Sequence, residues 1–520
     1  MTGGFGARIG RAVRAAGEYP DRRGLLFVIV VFVLSRVLYA LAGVRFFTWS
    51  ETHLMHFISP DLLRTDLLRS VFYLHNQPPF FNLFMGTALK LVPGPGDSAF
   101  HAAYLVLGLT LAVSLFLLMR RLGVSVRVNA ALTSLFIASP SCILFENALL
   151  YTYFVAVFLT LAALFLHRWL VSGRARDGAA FFILLGLVVF TRSFFHAAWY
   201  AACAVLAILS HRTGWRRAIL LAGIPFLVVL ALYVKNLVLF GNFGSSTWMG
   251  MSLSKMTTFK LPEEERIAVV KRGELSELSL LPPFKALWFY ARYVHVPRYK
   301  KTGVPVLDME FYPEVGNNWN NLAYVSISRQ YLKDAIVVMR AHPLVYVRSL
   351  TGSLRIFFFP ASDWFHNYPQ FDNLVIAPVE KMFNTLVCGQ VFHAFGPIAS
   401  YATYADYFRN PLNIGFLILA AWLAAVYLGA RTVVRALRGR EADIPRAATV
   451  AFMVFTILFV TAVTSSLEIG ENNRFRFNVD PYLFAVVGMA VTGAQSEVRR
   501  RMEAETRRKG RKSRSDTMKK

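Results

Sequence analysis

Two short polar strings near opposite ends of the chain carry the residue types that acid–base and phosphate chemistry need. The first comprises Ser50-Glu51 and, further on, His75-Asn76-Gln77-Pro78-Pro79. The second is Glu471-Asn472-Asn473-Arg474-Phe475-Arg476. Both lie beside apolar runs long enough to cross a bilayer, where charged side chains are costly unless they serve a site. The chain is therefore predicted to be an integral membrane enzyme with a polar site on one side of the membrane.

The first string offers a candidate general base. Glu51 lies a few residues outside the first apolar run, where a carboxylate could take a proton from an acceptor hydroxyl; a solvated loop acid is the alternative. His75 could bind phosphate or hold an acid in place, or could stand at a helix start without a ligand. Gln77 is a candidate positioning residue beside two prolines that set a rigid helix entry.

Three further polar positions interrupt apolar surroundings. Glu146, with Asn147 as a positioning residue, lies between two apolar runs, and an acid there is expensive unless it faces water or a partner; we expect a catalytic role. Arg192 is expected to contact phosphate, with snorkelling to the surface as the alternative. Lys235 lies near the outer end of an apolar run, where an anion is a plausible partner.

The second string is suited to phosphate. Arg474 and Arg476 can make the bidentate contacts that phosphate favours, with Glu471 to position them; anchoring in lipid headgroups is the alternative. His53 and His56 have a spacing that could bind zinc, but this pattern is weak. We predict no metal and no cofactor.

Composition supports a polytopic membrane protein. Of the 520 residues 56% are apolar, the net charge is +26, and the mean hydropathy is +0.46. Three cysteines without CxxC spacing predict neither a disulfide framework nor a zinc cluster. Ten apolar runs are predicted to span: 24–44, 100–119, 128–145, 149–166, 178–192, 195–210, 218–240, 412–430, 447–466 and 479–494.

The positive charge is concentrated in every second loop, which predicts that both termini are cytoplasmic. The expected division is a basic N-terminus (1–23), a transmembrane module (24–240) with a catalytic first outward loop (45–99), an outward segment (241–411), C-terminal spans (412–494) and a basic, disordered tail (495–520). Residues 78–92 are too short to span and predict a helix in the membrane interface. The parity of the basic loops favours two short spans joined near Arg192. Whether 241–411 crosses the membrane stays open.

Soluble catalytic signatures, such as a P-loop, a dinucleotide fingerprint or HExxH, do not occur in the sequence. A cytoplasmic nucleotide sugar is therefore an unsuitable donor for an outward-facing site. A lipid-borne donor fits a site at the membrane surface better.

In their order and topology these strings resemble the C-type glycosyltransferases (the GT-C superfamily), nearest to family 39 and to bacterial aminoarabinose- or galacturonic-acid-transferase-like members. The resemblance covers most of 24–494. It places Ser50-Glu51 where the family has paired acids, Lys235-Asn236 where it has Arg-Asn, and Gly470-Glu471 to Phe477 at the family's string before the last span. The first of the paired acids is Ser50 in this chain, which leaves Glu51 as the base.

The resemblance implies an all-α, GT-C-like membrane protein with about ten to thirteen transmembrane helices and juxtamembrane helices in the first outward loop. It implies inverting transfer of a sugar from a polyprenyl-phosphate donor to a glycan, lipid or protein acceptor, on the periplasmic face of the inner membrane. Glu51 would be the base, and Arg474, with Arg192 or Lys235, would stabilise the leaving phosphate. Membrane lipids are expected partners and nucleic acid is not.

Two rival functions remain. A flippase or transporter for lipid-linked sugars would have pseudo-symmetric halves with broken helices near the midplane. An O-antigen-ligase-like glycan transferase would place its main site in one large late loop. In this chain the polar groups gather at one face and the early loop carries the acid, so both readings rank behind the glycosyltransferase.

Overall fold

The computed structural model describes residues 3–48, 56–92, 97–211, 214–294, 301–313, 316–367, 376–391, 413–439 and 443–517, with the side chains at 3–20, 366–367 and 504–517 left undescribed. The described chain is built of α-helices, together with short 3₁₀ turns and one antiparallel pair of two-residue strands, Phe311–Tyr312 and Gly316–Asn317. The predicted all-α class is confirmed.

Twenty-two α-helices are described. In chain order they are α1 (Gly3–Leu41), α2 (Pro60–Thr65), α3 (Leu67–Phe72), α4 (Phe80–Leu91), α5 (Asp97–Arg121), α6 (Val126–Ile137), α7 (Pro140–Glu146), α8 (Tyr151–Ser172), α9 (Ala175–Thr191), α10 (Ala197–Ser210), α11 (Trp215–Phe240), α12 (Met249–Met256), α13 (Glu263–Lys271), α14 (Leu287–Tyr293), α15 (Pro305–Asp308), α16 (Ala323–Ala341), α17 (Pro343–Phe357), α18 (Ile376–Leu386), α19 (Phe416–Leu437), α20 (Ile444–Leu467), α21 (Asn472–Phe477) and α22 (Asp480–Thr517).

Six helical stretches in the described chain are long and apolar enough to cross a membrane, which makes the protein multi-pass. They are residues Asp21–Leu41 of α1, and α5, α8, α11, α19 and α20. The pair α6 and α7 would make a seventh span, bent by 54° at the break. Pro140 begins α7, where its missing N–H is no loss, and the Ser139 hydroxyl accepts from the backbone N–H of Cys142 at 3.2 Å.

The other predicted spans are also helical, and two of them form helices that are shorter than the six long ones. Residues 178–192 and 195–210 form α9 and α10, of 17 and 14 residues, separated at Arg192 as the sequence predicted. Residues 479–494 form the first part of the 38-residue helix α22. The predicted total of about ten to thirteen transmembrane helices therefore depends on whether these shorter helices cross the bilayer.

Helix α8 lies at the centre of the bundle. It packs against α5, α9 and α20, and 67% of its apolar window is buried, compared with 11% for α19. The side chains of its first turn are therefore enclosed by several elements. Tyr151, the first residue of α8, is buried there.

The described residues of the segment 241–411 form a helical unit with its own small core. Helix α12 packs closely on α16, since a Cβ at Gly250 would lie 1.8 Å from the Ser328 carbonyl oxygen. A second apolar cluster includes Trp248, Met251 and Tyr331. Among the described residues of this segment, no helix meets the length and apolarity of a membrane span. The apolar residues 344–357 lie in α17, a helix of 15 residues.

Two local expectations have clear outcomes. The predicted interfacial run 78–92 is a helix, α4, of 12 residues. The basic tail, expected to be disordered, instead continues α22 as far as Thr517. Its first turns past the apolar part carry i,i+4 ion pairs, Arg499–Glu503 and Arg501–Glu497, which favour helix.

Candidate functional site

Two buried arginines meet at the hydroxyl of Tyr151. Arg192 and Arg474 are 7% and 0% exposed. Nη1 of Arg192 and, at 3.3 Å, Nη2 of Arg474 donate to the Tyr151 oxygen. Phe475 lies beside both guanidinium groups, with its ring centroid 4.7 Å from Arg192 and 5.2 Å from Arg474. Arg192 and Arg474 are called the arginine pair below, and Tyr151 is called its bridge.

Two carboxylates lie beside the arginine pair. Nη2 of Arg474 donates to Glu471 Oε2 at 2.8 Å, and Trp364 Nε1 donates to Glu471 Oε1 at 3.4 Å. Lys255 and Glu468 form an adjacent ion pair, and Lys255 also acts electrostatically on Glu471. Three cations thus face two carboxylates among the described groups of this cluster.

Glu471 stays ionised in this setting. Burial by itself raises the pKa of the carboxyl, but the charges of Arg474, Lys255 and Arg192 outweigh burial and hold the pKa below its usual value. Because the Glu471 side chain is 32% exposed, it lies at the open side of the cluster. It can therefore orient Arg474 without closing the site.

Arg192 and Arg474 lie at the end of one helix and within another, and asparagine side chains fix the helix of Arg474. Arg192 directly follows the last residue of α9. Arg474 lies in the short helix α21, which is tied down because Asn472 Nδ2 donates to the carbonyl oxygens of Thr464 and Glu468, both at 3.1 Å. Asn473 Nδ2 donates to Pro360 O at 2.9 Å.

Three buried polar atoms near the pair lack a hydrogen-bond partner in the described part of the chain. They are Nε of Arg192, Nδ1 of His56 and Nε1 of Trp248. The His56 ring lies 5.2 Å from Trp248 and 5.7 Å from Tyr151, centroid to centroid. A buried donor left unsatisfied costs about 1–3 kcal/mol. Such a set is typical of a site that a polar ligand completes.

His56 is neutral. Burial lowers the pKa of its imidazole well below the usual value, and the charges of Arg192 and Arg474 lower it further. The side chain of Asn82 fixes this stretch, since its Oδ1 accepts from Ile58 N at 3.0 Å and its Nδ2 donates to His56 O at 3.1 Å. The first loop therefore contacts Tyr151, the bridge of the arginine pair, through His56.

The candidate base Glu51 lies outside the described residues, as do Ser50 and His53. Its assignment stays a prediction. Among the described residues, no group of three or more His, Cys, Asp or Glu side chains comes together as a metal site would require.

His75 joins the first loop to the segment 241–411. Its Nε2 lies 2.9 Å from Asn320 O, and its Nδ1 lies 2.8 Å from the Thr247 hydroxyl. A carbonyl can only accept, so Nε2 carries the proton and Nδ1 accepts from Thr247. Burial, together with the Lys235 charge, lowers the pKa of His75 to about 3. With both nitrogens occupied and no charge, His75 is suited to positioning rather than to phosphate binding.

Asn320 completes this junction. Its Oδ1 accepts from the backbone N–H groups of His75 at 2.9 Å and Asn76 at 3.2 Å, and its Nδ2 donates to Tyr73 O at 3.2 Å. From the other side, Ser246 Oγ donates to Asn76 O at 2.6 Å. The string that precedes α4 is therefore held by two separate stretches of the later segment.

Lys235 and Gln77 have different surroundings. Nζ of Lys235 donates to Phe72 O at 2.9 Å and Leu74 O at 2.7 Å, where it satisfies carbonyls at the end of α3. These bonds explain a lysine at this helix end without an anion. Gln77 is buried, and its Oε1 has no hydrogen-bond partner in the described chain.

Glu146 lies in a separate ion pair rather than in a short loop. It is the last residue of α7 and fully buried. Arg36 donates two hydrogen bonds to its carboxylate, from Nε to Oε1 at 2.8 Å and from Nη2 to Oε2 at 2.6 Å. The Tyr153 hydroxyl donates to Oε2 at 2.7 Å. Asn147 ends α7, and its Nδ2 donates to Ile143 O at 2.9 Å. Both residues stabilise the broken helix.

Arg476 also has structural partners. Its Nη1 donates to Phe357 O at 2.6 Å and to Phe359 O, and its Nε donates to Asp480 Oδ1 at 2.9 Å. It therefore closes the end of α17 and the start of α22. Of the two arginines in the second string, Arg474 is the one that reaches the pair.

Sequence reasoning missed several residues of the site. Trp248 and Lys255 lie at the two ends of α12, and Tyr151 and Trp364 come from two other stretches. His56, from a fourth stretch, was considered only as a weak zinc candidate, and no spacing rule links the four stretches. The run Asn317-Asn318-Trp319-Asn320-Asn321 was a usable signal, because four amides around one tryptophan have strong hydrogen-bonding capacity.

No protein-family model matches the chain, and no curated protein matches it. Solved structures similar to it include the Archaeoglobus fulgidus oligosaccharyltransferase in the apo form, with 12% identity and a TM-score of 0.36, over 93% of this chain and 52% of that one. This chain thus spans about half the length of the archaeal protein. Another is ArnT from Cupriavidus metallidurans bound to undecaprenyl phosphate, with 16% identity and a TM-score of 0.30, over 89% of this chain and 79% of that one.

Proposed function

We propose that the protein is a membrane glycosyltransferase (EC 2.4 class) that moves a sugar from a polyprenyl-phosphate donor to an acceptor at the outer face of the inner membrane. The arginine pair is the observation that carries this proposal. Two buried guanidinium groups share one hydroxyl, and paired guanidinium groups suit a phosphate more than any neutral ligand.

The phosphate is the leaving group of the proposed reaction. As the bond between the sugar C1 and the phosphate oxygen breaks, negative charge grows on that oxygen. Arg192 and Arg474 would stabilise this charge at fixed positions, which is most effective in a buried site. Lys255 would add a third positive charge nearby, shared with Glu468.

Glu51 is our candidate for the base. The acceptor hydroxyl oxygen would attack C1 from the face opposite the phosphate, which inverts the configuration, and its proton would pass to the Glu51 carboxylate. Polyprenyl phosphate would leave with the bonding electrons. Glu51 precedes His56 by five residues in the sequence, and His56 is adjacent to Tyr151. The acceptor, whether glycan, lipid or protein, would enter from the side of segment 241–411.

The test is a transfer assay on the purified full chain in lipid nanodiscs. Polyprenyl-phosphate sugars serve as donors, a membrane extract supplies the acceptor, and parallel reactions contain a chelator. Arg192→Gln, Arg474→Gln and Glu51→Gln are each expected to lower kcat at least about 100-fold, because each removes a group that acts on developing charge or on the transferred proton. Arg499→Gln, at an 82% exposed position on α22, is the matched control with unchanged transfer.

Transfer that survives in both arginine variants would refute the phosphate role of the pair. Loss only in the arginine variants would keep the enzyme and remove Glu51 as base. Movement of the lipid-linked sugar between leaflets without transfer to any acceptor would support a flippase instead.

A further inference from the structure

Helix α18 buries polar side chains and exposes apolar ones. Its buried residues include Glu380 and Asn384, which are 7% and 3% exposed. Its exposed residues include Val379, Met382 and Leu386, which are 38%, 58% and 68% exposed. The spacing i, i+3, i+7 places these three side chains on one face of the helix, and they are called the α18 stripe below. Helix α18 therefore has a polar inner face and an apolar outer face.

Helix α16 of the same segment has the opposite pattern. It buries Tyr331 and Val338 and exposes Arg329 and Lys333, as a helix that faces water does. A helix in a bilayer instead keeps its polar side chains inside protein, because they are costly in hydrocarbon, and turns apolar side chains to lipid. The polarity of α18 is thus that of a helix in contact with lipid.

The neighbours of α18 are the ends of membrane spans. The helix packs against α7, and Glu380 acts electrostatically on Tyr39, two residues before the end of α1. Just after α18, the Cys388 carbonyl accepts from Leu417 N at 3.1 Å, in the first turn of α19. Of the apolar windows of α1 and α19, only 22% and 11% are buried in protein. Helix α18 therefore lies beside two spans that expose most of their apolar surface.

Helix α17, which precedes α18, also meets the end of a span. The Tyr346 hydroxyl donates to Ser466 O at 2.9 Å, in the last turn of α20. Helix α17 buries Ser353 and exposes Leu344 and Val347. Two successive helices of the segment thus expose apolar side chains at the level where the long spans end.

We propose that α18 lies within the membrane leaflet next to segment 241–411, with the α18 stripe in contact with acyl chains, and that it anchors this segment to the bilayer. The polar face stays inside protein, where Asn384 Nδ2 donates to Asp363 Oδ1 at 3.0 Å. With 11 residues, α18 has about half the length that a span requires, so it enters the leaflet without crossing the membrane. This anchoring requires no assumption about the transfer reaction.

The size of the α18 stripe favours lipid over a protein partner. Each partner in a stable protein interface buries roughly 800 Å², an area that three side chains cannot supply. Acyl chains set no such minimum, because each apolar group that leaves water contributes by itself. The occupant that fits the stripe is therefore the hydrocarbon of the bilayer.

Spin-label accessibility on the full chain in phospholipid nanodiscs tests the anchor. Single cysteines that carry a nitroxide replace Val379, Leu386 or Val337 in turn. Val337 is the matched control, because it is 37% exposed and lies on the water-facing helix α16 between Lys333 and Arg340. The ratio of collisions with oxygen to collisions with a polar nickel chelate is expected to be at least about threefold higher at Val379 and Leu386 than at Val337, because hydrocarbon excludes the chelate. Wild type carried through the same labelling gives the background from Cys388.

Equal ratios at Val379, Leu386 and Val337 would show that the stripe faces water and would overturn the anchor. Few collisions with either reagent at Val379 and Leu386 would show that protein covers the stripe, which would overturn lipid as its occupant.

A charge in the stripe provides a second, independent measurement. Met382→Asp is expected to lower the oxygen-to-nickel ratio of the label at Leu386 at least about twofold, because a carboxylate is costly in hydrocarbon and draws this face toward water. Val337→Asp on α16 is the matched control and is expected to leave that ratio unchanged. The same ratio in Met382→Asp as in the parent protein would show that the stripe does not hold α18 in the leaflet.

Discussion

Arg474 and Arg476 stand two residues apart in α21, yet their guanidinium groups have different kinds of partner. Arg474 faces Tyr151 and Glu471, while Arg476 binds two backbone carbonyls and Asp480. A helix turns by about 100° per residue, so positions two apart face in different directions. The same residue type therefore closes helix ends at Arg476 and faces the proposed phosphate site at Arg474.

His75 gives a pH prediction at the residue scale. Its pKa is about 3 in the fold and about 6.5 in an unfolded chain, so the unfolded state binds more protons between these values. The contribution of neutral His75 to stability is complete above about pH 6.5 and is lost as the pH falls toward 3. Between pH 7.5 and pH 5, about 2 kcal/mol of unfolding free energy is expected to disappear. His56, whose pKa is also lowered, acts in the same direction.

Unfolding of the detergent-solubilised protein at pH 7.5 and pH 5 measures this effect. His75→Gln is expected to be less stable than wild type at pH 7.5, because the contact with Thr247 is lost, but less sensitive to acid. His101→Gln, where the ring stacks on Phe46, is the control with wild-type sensitivity. An unchanged pH slope in His75→Gln would contradict the assignment of a neutral, buried imidazole.

At the element scale, an ion pair holds the broken helix to the first span. Arg36 of α1 binds Glu146 at the end of α7, and its Nη1 donates to the Ile137 carbonyl at the end of α6 at 2.8 Å. The break leaves carbonyls without intrahelical partners, and a buried arginine satisfies one of them. Gly108 of α5 allows this approach, since a Cβ there would lie 2.0 Å from Glu146 Oε2.

A double-mutant cycle separates the structural role of Glu146 from the predicted catalytic role. Arg36→Met alone is expected to destabilise the protein by about 3–5 kcal/mol, because it leaves a buried carboxylate uncompensated. Arg36→Met with Glu146→Gln is expected to recover most of that loss, since no charge remains buried. Unfolding free energies of the four proteins give the coupling.

Transfer activity of the double variant then decides the role. If Glu146 is structural, the refolded double variant keeps its activity within about tenfold of wild type. A double variant that is stable but inactive would restore Glu146 as a catalytic residue.

At the scale of the whole molecule, the site is assembled from three parts of the chain that lie far apart in sequence. The first loop supplies His56, the bundle supplies Tyr151 and Arg192, and the loop before α22 supplies Glu471 and Arg474. The segment 241–411 covers this assembly through Trp248 and holds the first loop through Thr247 and Asn320. These contacts indicate that the described part of the segment positions the site.

The orientation of the molecule is the third prediction. The basic loops predict that Arg174 lies in the cytoplasm and segment 241–411 outside. A cysteine at Lys271, in α13, is expected to react with a membrane-impermeant maleimide on intact cells, and a cysteine at Arg174 only after permeabilisation. Two native cysteines are buried and Cys388 is partly buried, so wild type serves as the background control. The reverse pattern of labelling would invert the topology and place the site on the cytoplasmic side.

Much of the architecture was already determined by the sequence. Long apolar runs can be satisfied only as helices in a bilayer, so the number and order of the main helices follow from composition and length. The break near Arg192 and the short helix at 78–92 were both predicted, because the length of an apolar run, the charge of its flanking loops and proline act locally.

Only the tertiary structure decided which polar residues belong together. Glu146, His75, Lys235 and Arg476 have the residue types of a site, but each has partners from distant segments that account for it: Arg36, Asn320, the end of α3 and the end of α17. Conversely, the sequence did not show that His56 and Trp248 belong to this site. Only the structure shows that both lie beside the arginine pair with a ring nitrogen that has no hydrogen-bond partner among the described residues. Whether a buried polar group is satisfied depends on contacts between residues hundreds of positions apart, and no local pattern encodes such contacts.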